Sequence, residues 1–375
     1  MTTAAEPIPP RNKRFHVGTT ILSGRGSLGH LGDVFTGLDA RRIAVVADHG
    51  IERVGLLWQI LGAAGSLPIA HTALVMPNPD VAAVESIVSS VRRAQCDAVL
   101  AIGGGSALGA AKAVAIRLNN PGPITAYEGV DRVPTPPVPT VAVPTTAGSG
   151  SEVSNALVLH EPGWPREIIV RGQGCEPRVA ILDASVLRGL PRTPMIESAV
   201  DALSHAFEAL WAKGRSMFTD ALAVRAADTI IRVLPRALDE RDDTHLQLLL
   251  DASSAANLAC GNSGLGLVHA LSSAPSIPLS HGHQNGALLL PVARFNAQHL
   301  DAEYRPLIAR AADLFDRIGF AARFTEGELD HTHLAAMLAA SSDHPFRSNN
   351  IRESTDDDVI AILHEAGVAK EETSQ

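Results

Sequence analysis

Five short runs rich in aliphatic residues punctuate the first half of the chain and constrain its fold most. They are 41–48 (RRIAVVAD), 69–76 (IAHTALVM), 97–105 (DAVLAIGGG), 138–146 (VPTVAVPTT) and 177–185 (PRVAILDAS), with helical-period segments at 50–65 and 82–95 between them. Strands without polar alternation are buried on both faces, and intervening helices supply the cover. The pattern therefore calls for a parallel sheet flanked by helices on both sides. Beyond LPRTPM (190–195) the texture changes, and ESAVDALSHAFEALWA, TDALAVRAADTIIRVLPRAL, LQLLLDASSAANLA and YRPLIARAADLFDRIG all carry helical period, with no strand legible among them. The expected fold is α/β. An N-terminal doubly wound, mostly parallel sheet over 1–190 is joined to an all-α domain over 191–375, and the length of 375 residues suits two such units. The polar tail VAKEETSQ (368–375) is expected to fray.

Charge and cysteine usage narrow the class of partner. The net charge of −9, with no long basic run, argues against nucleic acid or an anionic membrane surface. Cys96, Cys175 and Cys260 lie far apart and form no CxxC pair, so neither a disulfide framework nor a thiolate zinc site is expected. The N-terminal stretch MTTAAEPIPPRNKRF has no apolar core of the kind a secretory signal needs. No run reaches the roughly 18 apolar residues of a membrane span. A cytoplasmic location is expected.

Two loops follow strands and carry chemistry. Gly103-Gly104-Gly105-Ser106 joins the strand AVLAI to the helical pattern ALGAAKAVAIR, with Lys112 two turns in. Consecutive glycines let backbone approach a phosphate, and the following helix offers free N–H groups and a positive dipole end. The run is not GxGxxG, and alone it is a weak signal, a tight turn with no ligand being the lesser reading. The second loop, 144–152 (PTTAGSGSE), is rich in hydroxyls and also ends a strand. Ligands of open parallel sheets bind at such ends. Asp48 closes the strand RRIAVVAD, where a carboxylate can accept from a ribose diol and repel a 2′-phosphate, or can simply cap the next helix. Together these features favour a dinucleotide.

In the second half, Asp201 and His205 are four apart in ESAVDALSHAFEALWA and project from one side of a helix. That side lies away from the stripe Val200, Leu203, Phe207, Leu210, so the pair faces solvent or a cleft. The later run LGLVHALSSAPSIPLSHGHQNGALLLP sets His269 on a helix and His281 and His283 in a Ser/Gly-rich turn before ALLLP. Histidines inside apolar sequence, added to an Asp-x-x-x-His helix, point to a metal site. One carboxylate with imidazoles suits iron(II), zinc or another borderline ion.

On these residues the chain closely resembles the iron-containing, or group III metal-dependent, alcohol dehydrogenase family. The resemblance runs through PNPD (77–80), GGGS with Lys112, NPGPITAYEG (120–129), PTTAGSGSEV, DALSHAFEAL, TDALA (219–223), GLGLVHA and HGHQN followed by LLLP. It implies metal ligands Asp201, His205, His269 and His281, and cofactor contacts from Asp48, Asn78, Gly104, Gly105, Ser106, Thr145 and Thr146. It further implies reversible oxidation of a small alcohol to its aldehyde or ketone. The cofactor would be NAD(H) in preference to NADP(H), with one divalent ion, Fe(2+) or Zn(2+), and the chain a homo-oligomer, a dimer.

Two departures from the family pattern bear on chemistry. Gly109 stands where GGGSxxDxxK has an acid, as in the related maleylacetate reductases, and Ser273 stands where the family commonly has a second histidine in its proton path. Ser273, His283 or a water is then the expected proton carrier. Reduction of maleylacetate or another acidic carbonyl compound is the alternative reading, against which stands the complete Asp-plus-three-His set. A lyase related to 3-dehydroquinate synthase would need a cluster of Lys and Arg near the histidines, which this half lacks. A non-catalytic cofactor binder would have no reason to keep all four ligands.

Overall fold

The computed structural model describes residues 13–369 except 162, 165 and 166. Six strands form one all-parallel sheet in the order β1-β9-β6-β4-β2-β3: β1 (Thr20–Ser23), β2 (Ile43–Asp48), β3 (Ile69–Val75), β4 (Ala98–Gly103), β6 (Thr140–Pro144) and β9 (Val179–Leu182). Each of the five apolar runs became a strand of this sheet. A second, three-stranded sheet has the order β5-β8-β7, from β5 (Gly129–Val130), β7 (Ala156–Leu159) and β8 (Ile168–Arg171), with β7 antiparallel to β8. This small sheet and β1 were not legible in the sequence. Their strands span two to four residues, too few for a period of 2 to show.

Helices α1 (Leu31–Gly37), α2 (His49–Arg53), α3 (Leu56–Ala63), α4 (Val81–Arg93) and α5 (Gly105–Asn119) cover the sheet. The segment 50–65, expected as one helix, is two, because Gly55 adopts φ 76° between them. Strand β2 shows why both faces need cover: Ile43, Val45 and Ala47 enter one apolar cluster, while Ala44 and Val46 enter another.

From Arg192 onward every described regular element is helical: α6 (Arg192–Leu210), α7 (Met217–Asp239), α8 (Asp243–Ser263), α9 (Leu267–Leu271), α10 (His281–Asn296), α11 (Pro306–Ile318), α12 (His331–Ser342), α13 (Pro345–Asn349) and α14 (Asp356–Glu365). The fold class is the one expected, a doubly wound parallel sheet followed by helices. The first of the two apolar clusters runs without a break from the sheet face through α6, α7, α8 and α10, so the two halves share a core.

Three expectations are corrected. Helix α6 is not amphipathic: every residue from Ala199 to Leu210 is buried, because α7, α8 and α10 surround it, so Asp201 and His205 face the interior rather than solvent. His281 and His283 lie in the first turn of α10, not in a turn before it; Ser280 caps that helix by accepting from His283 N at 3.2 Å. The expected fraying fails at its first residues. Val368 is buried, and Ala369 N donates to Leu329 O at 3.1 Å. Residues 370–375 and 1–12 lie outside the described residues. Among the described residues no helix is long and apolar enough to cross a membrane.

Candidate active site

The sheet brings the strand-end residues to one edge, because β3, β2, β4 and β6 are neighbours and parallel. Gly103 adopts φ 146°, and a Cβ there would lie 2.7 Å from Ala107 Cβ and 2.9 Å from Asp48 Cβ, so only glycine permits the turn. Gly104 is the N-cap of α5 and offers no capping side chain, which leaves the first N–H groups of a 15-residue helix open toward the strand ends. Ser106 Oγ accepts from Asn78 N at 3.1 Å, and Asn78 itself sits at φ 51°. Thr145 N donates to Gly103 O at 3.0 Å. A Cβ on Gly104 would meet Thr146 Oγ1 at 3.4 Å, and one on Gly105 would meet Ser149 Cβ at 3.0 Å, so the two loops touch. Asp48 Oδ1 caps α2 by accepting from Gly50 N at 2.5 Å, while its Cβ borders the glycine turn. The capping role and a position at the cradle coexist.

Lys112 is buried, and its Nζ donates to the carbonyls of Ser151, Ser154 and Ala156. It therefore ties the end of the second loop, at Ser151, to the segment that leads into β7. Burial pushes its amine down to about 7, against the opposing pull of Glu152.

The Asp/His cluster lies on α6, α9 and α10. One donor atom each from Asp201, His269 and His281 lies within 4.8 Å of the others. Asp201 Oδ1 is 3.8 Å from His269 Nε2, 3.9 Å from His281 Nε2 and 4.0 Å from His205 Nε2. These separations are too long for hydrogen bonds, and they are of the order expected for donors about 2.0–2.2 Å from one shared ion. The ring of His205 stacks on that of His269 with centroids 4.7 Å apart. Asp201, His205 and His269 are buried, whereas His281 is exposed and marks the open side.

The protonation tendencies of Asp201, His205 and His281 suit a cation, while Glu208, against the effect of burial, pulls His269 upward. Burial pulls His205 down to about 4, which keeps it neutral. Burial alone would raise Asp201, but His205, His281 and His269 outweigh it and hold the carboxyl below its ordinary range. His205 Nδ1 is buried with no hydrogen-bond partner. Asn285 Nδ2 donates to Asp201 Oδ1 at 2.7 Å and lies 3.1 Å from His269 Nε2. The donor set thus fits a borderline divalent ion.

Sequence reasoning missed Glu208. Its carboxylate is fully buried, accepts from Val268 N at 2.7 Å and lies 2.5 Å from His269 Nδ1. It therefore caps α9 and holds the His269 proton on Nδ1, leaving Nε2 a lone pair. The signal was present, since 201, 205 and 208 follow the i, i+4, i+7 spacing of one helix face. Asn285 was also missed.

His283 is not brought to the cluster. Two residues along a helix from His281, it points the other way, packs on Phe320 and Phe324 at 5.7 and 6.2 Å, and its Nε2 lies 3.8 Å from Glu328. Ser273 Oγ donates back to Ala270 O at 2.7 Å.

Comparison with known proteins bears on all of this. The sequence pattern of "Iron-containing alcohol dehydrogenase" matches residues 18–184, and the "Fe-containing alcohol dehydrogenase family, C-terminal" pattern matches 195–310. The probable alcohol dehydrogenase EutG of Salmonella typhimurium is 31% identical over 376 residues, 95% of each chain. This chain belongs to the iron-containing alcohol dehydrogenase family. As a member it is an oxidoreductase that interconverts an alcohol and its carbonyl compound. The NAD-dependent methanol dehydrogenase of Bacillus methanolicus is 33% identical over 75% of each chain. Among solved structures, sulfoacetaldehyde reductase from Bifidobacterium kashiwanohense, in complex with NAD+, superposes with a TM-score of 0.86 at 26% identity, covering 96% of this chain and 100% of that one.

Proposed function

We propose that this family member is an NAD(H)-linked alcohol dehydrogenase or aldehyde reductase for small substrates, with one divalent ion, iron(II) or zinc, held by Asp201, His205, His269 and His281. One observation carries the reading: loop 144–152 touches both halves of the machinery. It packs on the glycine turn at Gly104 and Gly105, and a Cβ on its Gly148 would lie 2.7 Å from Ser198 O, three residues before Asp201 on α6. A cofactor laid along that loop would end beside the cluster.

When bound, the metal supplies Lewis acidity and the nicotinamide supplies or accepts hydride. The protein's own residues supply positioning. The α5 N-terminus with Gly104, Gly105 and Ser106 would bind the pyrophosphate, and Asn78, Thr145 and Thr146 would border the cofactor. Asp48 would take the ribose diol and disfavour a 2′-phosphate, hence NAD over NADP. The NAD named for the Bacillus methanolicus and Bifidobacterium kashiwanohense relatives supports the same choice. The division near residue 190, into a nucleotide-binding part and a metal-binding part, belongs to this reading; the two family patterns, at 18–184 and 195–310, support it. A homo-oligomer is included as well, its apolar patch being exposed Met217 and Phe218 beside Phe15.

The test is NADH and NADPH oxidation over a panel of aldehydes and keto acids, before and after chelation, with iron(II) or zinc added back. Loss and recovery of NADH-linked aldehyde turnover is expected. Turnover that survives thorough chelation would refute the metal assignment.

A further inference from the structure

Helix α8 belongs to the helical half, yet its side chains reach the carboxyl ends of the parallel strands. Ser23, the last residue of β1, donates its hydroxyl to Asp251 Oδ1 at 2.5 Å, and Gln247 Nε2 donates to Leu182 O, at the end of β9, at 2.9 Å. Further along, α8 meets the 144–152 loop that follows β6. Ser253 Oγ donates to Gly148 O at 3.2 Å, Asn257 Nδ2 to Ser149 O at 2.9 Å, and Ser254 Oγ to Glu152 Oε1 at 2.6 Å. Ser253, Ser254 and Asn257 are all buried. A Cβ on Gly150 would lie 2.0 Å from Asn257 Cβ, so helix and loop are in close contact there. Ser149 in turn lies against the glycine turn, since a Cβ on Gly105 would meet Ser149 Cβ at 3.0 Å. A short chain of contacts thus runs from α8 through Ser149 to the first turn of α5.

We infer that Asn257 and Ser253 are positioning residues for the cofactor, which through the carbonyls of Ser149 and Gly148 set the second strand-end loop against the glycine turn before NADH arrives. The inference rests on the NAD(H) reading above, because neither side chain is placed against the cofactor itself. A loop fixed in advance has little freedom left to lose when a ligand binds, whereas a released loop must be ordered at the expense of affinity. Once cofactor saturates the site, the loop is ordered in either case. The two side chains therefore act on cofactor affinity and leave the rate of the loaded enzyme alone.

The experiment titrates the metal-loaded enzyme with NADH, following the enhancement of NADH fluorescence, and then measures KM for NADH and kcat with an aldehyde. Asn257→Leu keeps the branched shape and removes the donor. Asn257 Oδ1 is buried with no hydrogen-bond partner, so the bond to Ser149 is what the substitution deletes. Ordering one released residue is worth roughly an order of magnitude in an equilibrium constant, so Kd and KM for NADH should both rise by about tenfold. The kcat at saturating NADH and the affinity for zinc should stay within about twofold. If Asn257→Leu fails to fold, as read by far-UV circular dichroism, Ser253→Ala removes the neighbouring bond to Gly148 and should raise the same two constants by at least about threefold. A folded variant that binds NADH as tightly as the wild type, whatever its loss of stability in urea, overturns this inference alone. So does a fall in kcat or zinc affinity as large as the fall in NADH affinity. A wild type that binds no NADH overturns the cofactor reading, and this inference with it.

Discussion

In Glu208→Gln, a buried carboxylate that accepts from Val268 N–H and His269 Nδ1–H becomes an amide with a single accepting oxygen. If that oxygen stays with Val268, the amide NH2 faces His269 Nδ1, and the imidazole must move its proton to Nε2 to accept from it. The lone pair that a metal needs is then gone. If the oxygen turns to His269 instead, the Val268 N–H at the start of α9 is buried opposite another donor. Leaving one buried donor unmet costs about 1–3 kcal/mol. Disturbing a carboxylate that orients a ligating histidine typically weakens metal affinity about 10–100-fold, equivalent to roughly 1.4–2.7 kcal/mol. The two ranges agree, so a loss of about one to two orders of magnitude in affinity is expected. Competition between the protein and a chromogenic chelator for zinc, at pH 7 and with folding checked by circular dichroism, measures it directly. A folded Glu208→Gln protein that holds zinc within about twofold of the wild type would refute the tautomer argument.

Three further outcomes follow from the geometry. Asp48→Asn keeps a capping side chain for α2 but removes the charge, so the NADH-over-NADPH preference in kcat/KM should narrow by about tenfold or more; an unchanged preference would dissociate Asp48 from the ribose. Gly150→Ala would set a Cβ 2.0 Å from Asn257 Cβ at a φ of 59°, and should lower stability in urea by about 2–4 kcal/mol. His283→Gln should retain the wild-type rate and pH profile, because His283 packs on Phe320 and Phe324 rather than at the cluster; a shifted profile would reinstate it as a proton carrier.

The sheet was legible because buried parallel strands write themselves as continuous apolar runs, as in RIAVVAD and AVLAIG. That Asp201, His205, His269 and His281 come together was legible because several histidines inside apolar sequence, added to an Asp-x-x-x-His helix, are better explained by one shared site than as separate core histidines. What periodicity misread was α6. Its Val200, Leu203, Phe207 and Leu210 form a stripe, yet the small residues between them, Ala199, Ala202, Ser204, Ala206 and Ala209, let neighbouring helices close over the other faces. Alanine and serine look neutral in a sequence and become interior once α7, α8 and α10 arrive. The direction of His283 was likewise open until Ser280 fixed where α10 begins, since a helix sends residues two apart to opposite sides.

The apolar cluster that passes unbroken from the sheet into α6, α7, α8 and α10 also limits how the molecule can breathe. A clamshell opening of the two halves would divide that cluster, parting α8 from β9, at a cost set by the apolar area newly wetted. Exchange of cofactor and substrate then falls to local movements rather than to that opening, and Lys112 ties the end of the 144–152 loop at Ser151 to Ser154 and to the start of β7 at Ala156. Entry and exit become a matter of local latches on a stiff frame, and the buried lysine is placed to govern the tension of one of them.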